Sequence, residues 1–154
     1  MNIQSDLINA PPTGTDAVSI CLSDGPLKPI EPCRLRGAGA VILFEGLIRP
    51  EENGKHIAGI EYEVYEPMAR QMLRELAQQA LEQFELMAIV VEHSRGFVPT
   101  FDCSFRLQVA SAHRAQGLAG MEWFIHRMKQ DVPIWKHPRT QTIPPSSADK
   151  EVAS

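Results

Sequence analysis

The chain has 154 residues, of which 44% are hydrophobic and 22% are charged, a composition typical of one globular domain rather than two. Its formal net charge of -4 argues against a surface built as a whole for nucleic acid, because such domains are usually strongly basic. The longest apolar runs, residues 40–44 and 87–91, are far shorter than the ~20 residues of a membrane-spanning helix, so we expect no membrane association.

Leader and metal motifs are also missing from the sequence. The first twenty residues contain no Lys or Arg and no extended apolar stretch, so they resemble neither a secretory signal nor an Arg-rich transit peptide. A cytoplasmic location is therefore expected. Cys21, Cys33 and Cys103 show no Cys-x-x-Cys spacing, which argues against a zinc site and a complete disulfide framework. We expect them to be reduced and mostly small core residues.

Proline and glycine divide the chain into three parts. Residues 1–36 are expected to form a loop-rich N-terminal segment with one short strand near Ala17–Leu22, because the prolines exclude long helices and central strands. Residues 37–140 carry regular hydrophobic periodicities and are expected to form the core. Residues 141–154 are rich in Pro and Ser and are expected to form a flexible tail.

Two strands are predicted at the start of the core. The β-rich run that begins at Ala40 predicts a buried strand that continues towards Ile48. A turn at Asn53-Gly54 precedes a second strand over residues 57–65. We expect this strand to pair antiparallel with the first, because the connection is short.

A helix should follow, since Pro67 suits a helix start and apolar residues recur at helical spacing from Met68 to Phe84. Residues 87–91 and 105–110 predict two more strands, separated by a loop that holds Gly96 and Pro99.

A second helix is predicted from about Ala115 to Gln130, followed by a short strand after Pro133. Its apolar side is expected to contain Leu118, Met121, Ile125 and Met128. The resulting order mixes hairpins with helices, which favours an α+β fold: a single domain with a mixed or antiparallel sheet and two main helices.

The usual nucleotide, hydrolase and metalloprotease motifs are absent from the sequence, so the candidate site rests on cationic residues. His113-Arg114 lies where a strand gives way to a helix, and the unpaired N–H groups of a helix start attract anions. Arg49 ends the first core strand, where its planar guanidinium suits a phosphate or carboxylate. The alternative to an anion site is that Arg49 and Arg114 are solvated surface residues and that His113 caps the strand.

Two lysines lie close together near the end of the second helix. Lys129 at a helix C-terminus is also explained by the helix dipole alone. Lys136 follows the apolar segment Pro133-Ile134-Trp135, which predicts that its stem packs against hydrophobic surface. Desolvation there would favour the uncharged amine and supply a nucleophile or base.

Four stretches, taken in order, resemble the family of molybdopterin synthase catalytic (large) subunits. The similar motifs are Gly39-Ala40 leading to Phe44-Glu45-Gly46-Leu47-Ile48-Arg49, then Tyr62-Glu63-Val64-Tyr65 with Met68-Ala69, then Ser111-Ala112-His113-Arg114, and finally Met128-Lys129 with Val132-Pro133-Ile134-Trp135-Lys136. Together they cover about residues 37–136, and their shared order and spacing make a chance match improbable.

The resemblance implies an α/β-hammerhead fold and a sulfurtransferase of molybdenum cofactor biosynthesis. In that family, sulfur passes from the C-terminal thiocarboxylate of a small ubiquitin-like subunit to cyclic pyranopterin monophosphate and forms the dithiolene of molybdopterin. The assembly is a heterotetramer: a homodimer of catalytic subunits with one small subunit at each end, and each pocket draws on both protomers. No cofactor and no metal ligand are implied, because the partner supplies the sulfur and molybdenum is inserted later.

The resemblance also implies roles for the five cations. Arg49, His113 and Arg114 bind the pterin phosphate, and Lys129 and Lys136 lie where the thiocarboxylate meets the pterin. Fixed ammonium groups at that point would stabilise the charge that develops during transfer. We expect Lys129 to be nearest the transferred acyl carbon and Lys136 to stabilise charge or transfer a proton.

The sequence departs from the family pattern in three places. The family's His-Arg-x-Gly is here His93-Ser94-Arg95-Gly96, and Gly117-Leu118 replaces a small residue and Phe. After Lys136, His137-Pro138-Arg139 replaces a basic residue and Glu. These departures leave the five cations intact but open an alternative: a degenerate homologue that binds the small subunit or a phosphate-bearing pterin without turnover.

Overall fold

The computed structural model of the chain describes residues 17–31 and 34–141. Within these residues the chain forms seven strands and two helices. They are β1 (Val18–Asp24), β2 (Ala40–Leu47), β3 (Glu51–Glu52), β4 (Lys55–Val64), α1 (Met68–Gln83), β5 (Leu86–Pro99), β6 (Cys103–Ser111), α2 (Arg114–Asp131) and β7 (Ile134–Thr140). The predicted α+β class is confirmed, and both helices end within one residue of the predicted bounds.

The strands form one open sheet in the order β2-β6-β5-β4-β3. The fourteen-residue strand β5 pairs with β6 along one edge, while its other edge is shared by two partners. β1 lies parallel to residues 89–95 of β5, and β4 lies antiparallel to residues 96–99. Among the described residues, β7 pairs only with β4, so it depends on β4 for its place in the sheet.

Two hydrophobic cores position the site. In the main core, α1 packs against β1 and β5, and α2 packs against β6 and β5. Leu73, Ile89 and Phe124 are fully buried there. The second core, formed by Ile48, Ile57, Ile60, Tyr62 and Val98, lies where β4 meets the end of β2. Ile134 at the start of β7 packs against both cores, which connects the end of α2 to the second core.

The prediction that β2 is buried and pairs with β4 was wrong. β2 pairs with β6 at an edge of the sheet, and Val41, Leu43, Phe44 and Leu47 are 37–58% exposed. The short connection instead contains β3, which forms the hairpin with β4. Apolar content alone does not distinguish an edge strand from a central one.

Two smaller predictions also need correction. Gly96 and Pro99 lie within β5 rather than in a loop. Leu118 is 54% exposed, because Gly117 and Gly120 occupy the buried side of α2 instead.

The cysteine prediction was wrong for Cys21, which is exposed, whereas Cys103 is buried. Burial and a hydrogen bond with Glu45 raise the pKa of the Cys103 thiol to about 11. Cys33 lies outside the described residues.

Candidate active site

Arg49 stands at the rim of the second core. It follows Ile48, which is buried in that core, so the backbone holds the arginine while its side chain stays 80% exposed. The guanidinium lies 3.7 Å from the carboxylate of Glu52. Because such an exposed pair is weak, the guanidinium remains able to bind an incoming anion.

Lys136 stands on β7 directly opposite Tyr62 of β4 in the antiparallel register. Directly opposed residues project from the same face of a sheet, so the lysine and the tyrosine share one face. Lys136 is exposed, and the desolvation expected from the sequence is therefore not found. Among the residues that the structure describes, no carboxylate pairs with this lysine.

A buried polar cluster lies beneath this face. The Tyr62 hydroxyl lies 3.0 Å from the Ser104 hydroxyl, which is close enough for a hydrogen bond. The Tyr62 ring meets the His93 ring edge-on, with 5.0 Å between the centroids. All three residues are at most 5% exposed. We call Tyr62, His93 and Ser104 the tyrosine cluster.

The tyrosine cluster is uncharged near neutral pH. Burial lowers the pKa of His93; the hydrogen bond to the Ser94 carbonyl opposes this shift, and the charge of Lys136 adds to it. Burial likewise raises the pKa of Tyr62, with a smaller contribution from Glu52. The charges of Lys136 and of Glu52, the carboxylate that pairs with Arg49, thus both act on the pKa values of the tyrosine cluster.

His113 and Arg114 lie at the start of α2. His113 is the N-cap, with extended backbone angles and no side-chain capping bond, and both side chains are exposed. The buried Ser111 hydroxyl donates a hydrogen bond of 2.7 Å to the His113 carbonyl. A Cβ on Gly117 would lie 2.6 Å from that hydroxyl oxygen, so the glycine allows α2 to start close to β6.

Lys129 is exposed in the last turn of α2. Its neighbour Arg127 pairs with Asp131 at 2.9 Å, whereas Lys129 has no carboxylate partner within 17–31 and 34–141. Val132 and Pro133 then lead into β7 and Lys136. The two lysines therefore stand on either side of one short turn.

The structure separates the five candidate residues into two groups. Arg114 and Lys129 are fifteen residues apart on one helix, which corresponds to about 22 Å. Arg49 and His113 follow opposite ends of the β2–β6 ladder, whose seven steps span about 24 Å. We call Arg49, Lys129 and Lys136 the lysine end, and His113 with Arg114 the histidine end. Along these elements, the two ends of one chain are therefore about 22–24 Å apart.

The departures from the family pattern have clear structural positions. Arg95 pairs with Glu66 at 2.8 Å and with Asp24 at 3.2 Å, and so links β1 to the start of α1. His137 bonds Glu63 at 3.0 Å on the face of β7 opposite Lys136. None of these three contacts includes a residue of the lysine end.

Sequence reasoning did not identify the tyrosine cluster. Tyr62 lay within a matched motif but had no role, and nothing linked it to Ser104, which lies 42 positions away. The available signal was Tyr62 itself, because a tyrosine in a buried strand needs a hydrogen-bond partner for its hydroxyl.

The described parts of the chain contain no cluster of three or more His, Cys, Asp or Glu suited to a metal ion. They also contain no helix long and apolar enough to cross a membrane.

Comparison with known sequences gives a consistent result. A family model described as "MoaE protein" matches residues 24–131. The molybdopterin synthase catalytic subunit of Bacillus subtilis is 39% identical over 101 residues, covering 66% of this chain and 64% of the relative. The human protein of that name is 38% identical over 98 residues, covering 64% and 52%. That of Thermoplasma volcanium is 32% identical over 111 residues, covering 72% and 81%. The chain thus spans about half to two-thirds of the first two relatives.

Solved structures share the fold. The crystal structure of molybdopterin synthase from Staphylococcus aureus superposes with a TM-score of 0.67 at 26% identity, covering 78% of this chain and 92% of that one. A protein–protein complex of subunits 1 and 2 of molybdopterin-converting factor from Helicobacter pylori gives 0.63 at 22% identity, covering 77% and 83%.

Proposed function

The chain belongs to the MoaE family, and from this premise we propose that it is the catalytic subunit of a molybdopterin synthase, a cytoplasmic sulfurtransferase. Sulfur passes from the C-terminal thiocarboxylate of a small ubiquitin-like subunit to cyclic pyranopterin monophosphate and forms the dithiolene of molybdopterin. The observation that carries this proposal is the lysine pair: Lys129 and Lys136 stand exposed on either side of one turn, without a carboxylate partner among the described residues.

The charge of the lysine end suits the two reactants. A thiocarboxylate tail and a cyclic phosphate are both anionic, and unpaired ammonium groups attract them without first breaking an ion pair. An ammonium group beside the acyl carbon also stabilises negative charge that develops on the acyl oxygen. We assign that position to Lys129, and we assign charge stabilisation or proton transfer to Lys136.

We assign phosphate binding to Arg49, His113 and Arg114. Their separation into two ends supports a pocket that combines residues from two chains. It therefore supports the homodimer, with a small subunit bound at each end of the heterotetramer.

The exposed edge of β2 is the surface that we assign to the dimer contact. It presents Val41, Leu43, Phe44 and Leu47 together with the unpaired backbone groups of an edge strand, which favour pairing with another strand. Antiparallel pairing about a two-fold axis brings the Ala40 end of one strand beside the Leu47 end of the other. The histidine end of one chain then lies near the lysine end of its partner.

A reconstituted assay tests the proposed function. The purified chain is mixed with a thiocarboxylated small subunit and cyclic pyranopterin monophosphate, and dithiolene formation is measured alongside binding of the small subunit. We expect product and a stable complex. Binding without any product would favour the degenerate homologue and reject the enzyme.

A further inference from the structure

Tyr62 lies on β4 opposite Lys136 and connects β4 to β5 at the centre of the sheet. Within residues 17–31 and 34–141, β7 pairs only with β4, and β4 pairs with β5 through just four residues, Gly59 to Tyr62. Tyr62 forms the last of these pairs, opposite Gly96. The placement of Lys136 therefore depends on how firmly this end of β4 is held.

The tyrosine side chain supplies a second connection. Ser104 belongs to β6, which lies on the far side of β5 from β4, so the Tyr62–Ser104 hydrogen bond of 3.0 Å spans β5. The His93 ring packs edge-on against Tyr62 and restricts its ring further.

We propose that Tyr62 is a positioning residue for Lys136, acting through its hydrogen bond to Ser104. The bond links β4, and β7 with it, to β6. It thereby fixes the position of Lys136 relative to the tyrosine cluster. This inference rests on the proposed function, because it assumes that Lys136 acts during sulfur transfer. A lysine that stabilises developing charge must be held in place, so loosening it lowers kcat more than it weakens substrate binding.

Tyr62→Phe and Ser104→Ala test the proposal in the complete synthase. Each variant removes the same hydrogen bond from a different side. We expect kcat per folded chain to fall about fivefold, the effect of one neutral hydrogen bond, while KM for cyclic pyranopterin monophosphate stays within about twofold. The double variant should be no slower than the slower single variant, because only one bond is lost.

Ser94→Ala is the matched control. Ser94 is fully buried and its hydroxyl has no hydrogen-bond partner in the structure, so kcat should be unchanged. Thermal unfolding of every variant gives the folded fraction, and a purely structural role would change that fraction without changing kcat per folded chain. If Tyr62→Phe does not fold, Ser104→Ala carries the test alone.

Lys136→Ala separates the two possible failures. If this variant loses turnover while Tyr62→Phe and Ser104→Ala keep it, the positioning role is wrong and the proposed function stands. Additive losses in the double variant would also overturn the positioning role. Full turnover by Lys136→Ala would remove the assumed role of the lysine and this inference with it.

Discussion

Lys129 and Lys136 belong to different elements that meet at the Val132–Pro133 turn. One lysine is held by the last turn of α2 and the other by the pairing of β7 with β4. Because neither has a carboxylate partner within the described residues, their charge is free to act on a ligand. Each lysine can therefore be removed separately without leaving a carboxylate unpaired.

We predict that Lys129→Ala lowers turnover about a hundredfold, the effect of removing one group that stabilises transition-state charge. Dimerisation and thermal stability should not change, because the side chain is exposed. Lys28→Ala, which removes another exposed lysine, is the control and should retain full turnover. Steady-state kinetics and sedimentation check this prediction, and wild-type turnover by Lys129→Ala would reject the central role of the residue.

His93 should make the protein less stable in mild acid. Burial lowers its pKa in the folded chain, whereas the unfolded chain has the ordinary value of 6.5. Below that value the unfolded state binds a proton that the folded state does not. The stability contribution is therefore complete above pH 6.5 and falls as pH drops towards the folded pKa.

Urea unfolding on both sides of pH 6.5 measures this effect as a change in the free energy of unfolding. His93→Asn should lose less stability than the wild type between the two conditions, because it has no imidazole to protonate. His126→Asn replaces an exposed histidine and should behave like the wild type. An unchanged pH dependence in His93→Asn would show that other groups cause the acid sensitivity.

At the level of the elements, the close packing of β4 against β5 requires a glycine at position 59. A Cβ on Gly59 would contact the Val98 carbonyl oxygen and lie 2.6 Å from the Phe97 ring, and a strand backbone cannot move away without breaking its pairs. We predict that Gly59→Ala lowers the free energy of unfolding by about 1–3 kcal/mol.

Gly46→Ala is the matched change for Gly59→Ala. Gly46 also lies in a strand, but its Cβ would meet Phe105 at an ordinary 3.4 Å. Chemical denaturation should therefore show a smaller loss for Gly46→Ala. Equal losses would mean that the crowding at Gly59 is relieved elsewhere.

Local patterns predicted the helices well but not the pairing of the strands. Pro67 and the helical spacing after it mark α1, and the signals that end a helix act within a few residues. Pairing of β2 with β6 joins residues more than fifty positions apart, and no local pattern in the sequence encodes it. For the same reason the exposure of β2 could not be predicted from its composition.

The candidate site was only partly predictable. The five candidate residues follow from their positions in the predicted elements and from the family resemblance. Their separation into a lysine end and a histidine end depends on strand and helix lengths in three dimensions. The Tyr62–Ser104 bond joins strands that are not sheet neighbours. A buried polar pair of this kind becomes visible only when the tertiary contacts are known.

At the scale of the whole molecule, the two ends predict complementation between inactive chains. In a mixed dimer of Arg114→Ala and Lys136→Ala chains, one shared pocket contains both substitutions and the other contains neither. Random reassortment of equal amounts should restore about a quarter of the wild-type activity. The measurement is turnover after the two inactive variants are unfolded together and refolded.

The control for complementation is a mixture of Lys129→Ala and Lys136→Ala chains. Both substitutions lie in the lysine end, so every pocket of a mixed dimer keeps one defect and activity should remain low. If the Arg114→Ala and Lys136→Ala mixture also stayed inactive while dimers reassorted, pockets shared between chains would be ruled out.

β5 belongs to both halves of the sheet, since its first part pairs with β1 and its last four residues pair with β4. Neither half can unravel without exposing the backbone of the strand that the other half needs. The described chain should therefore unfold in one cooperative transition, with the amide hydrogens of β5 among the slowest to exchange with solvent. Loss of order around the lysines would then coincide with loss of the main core.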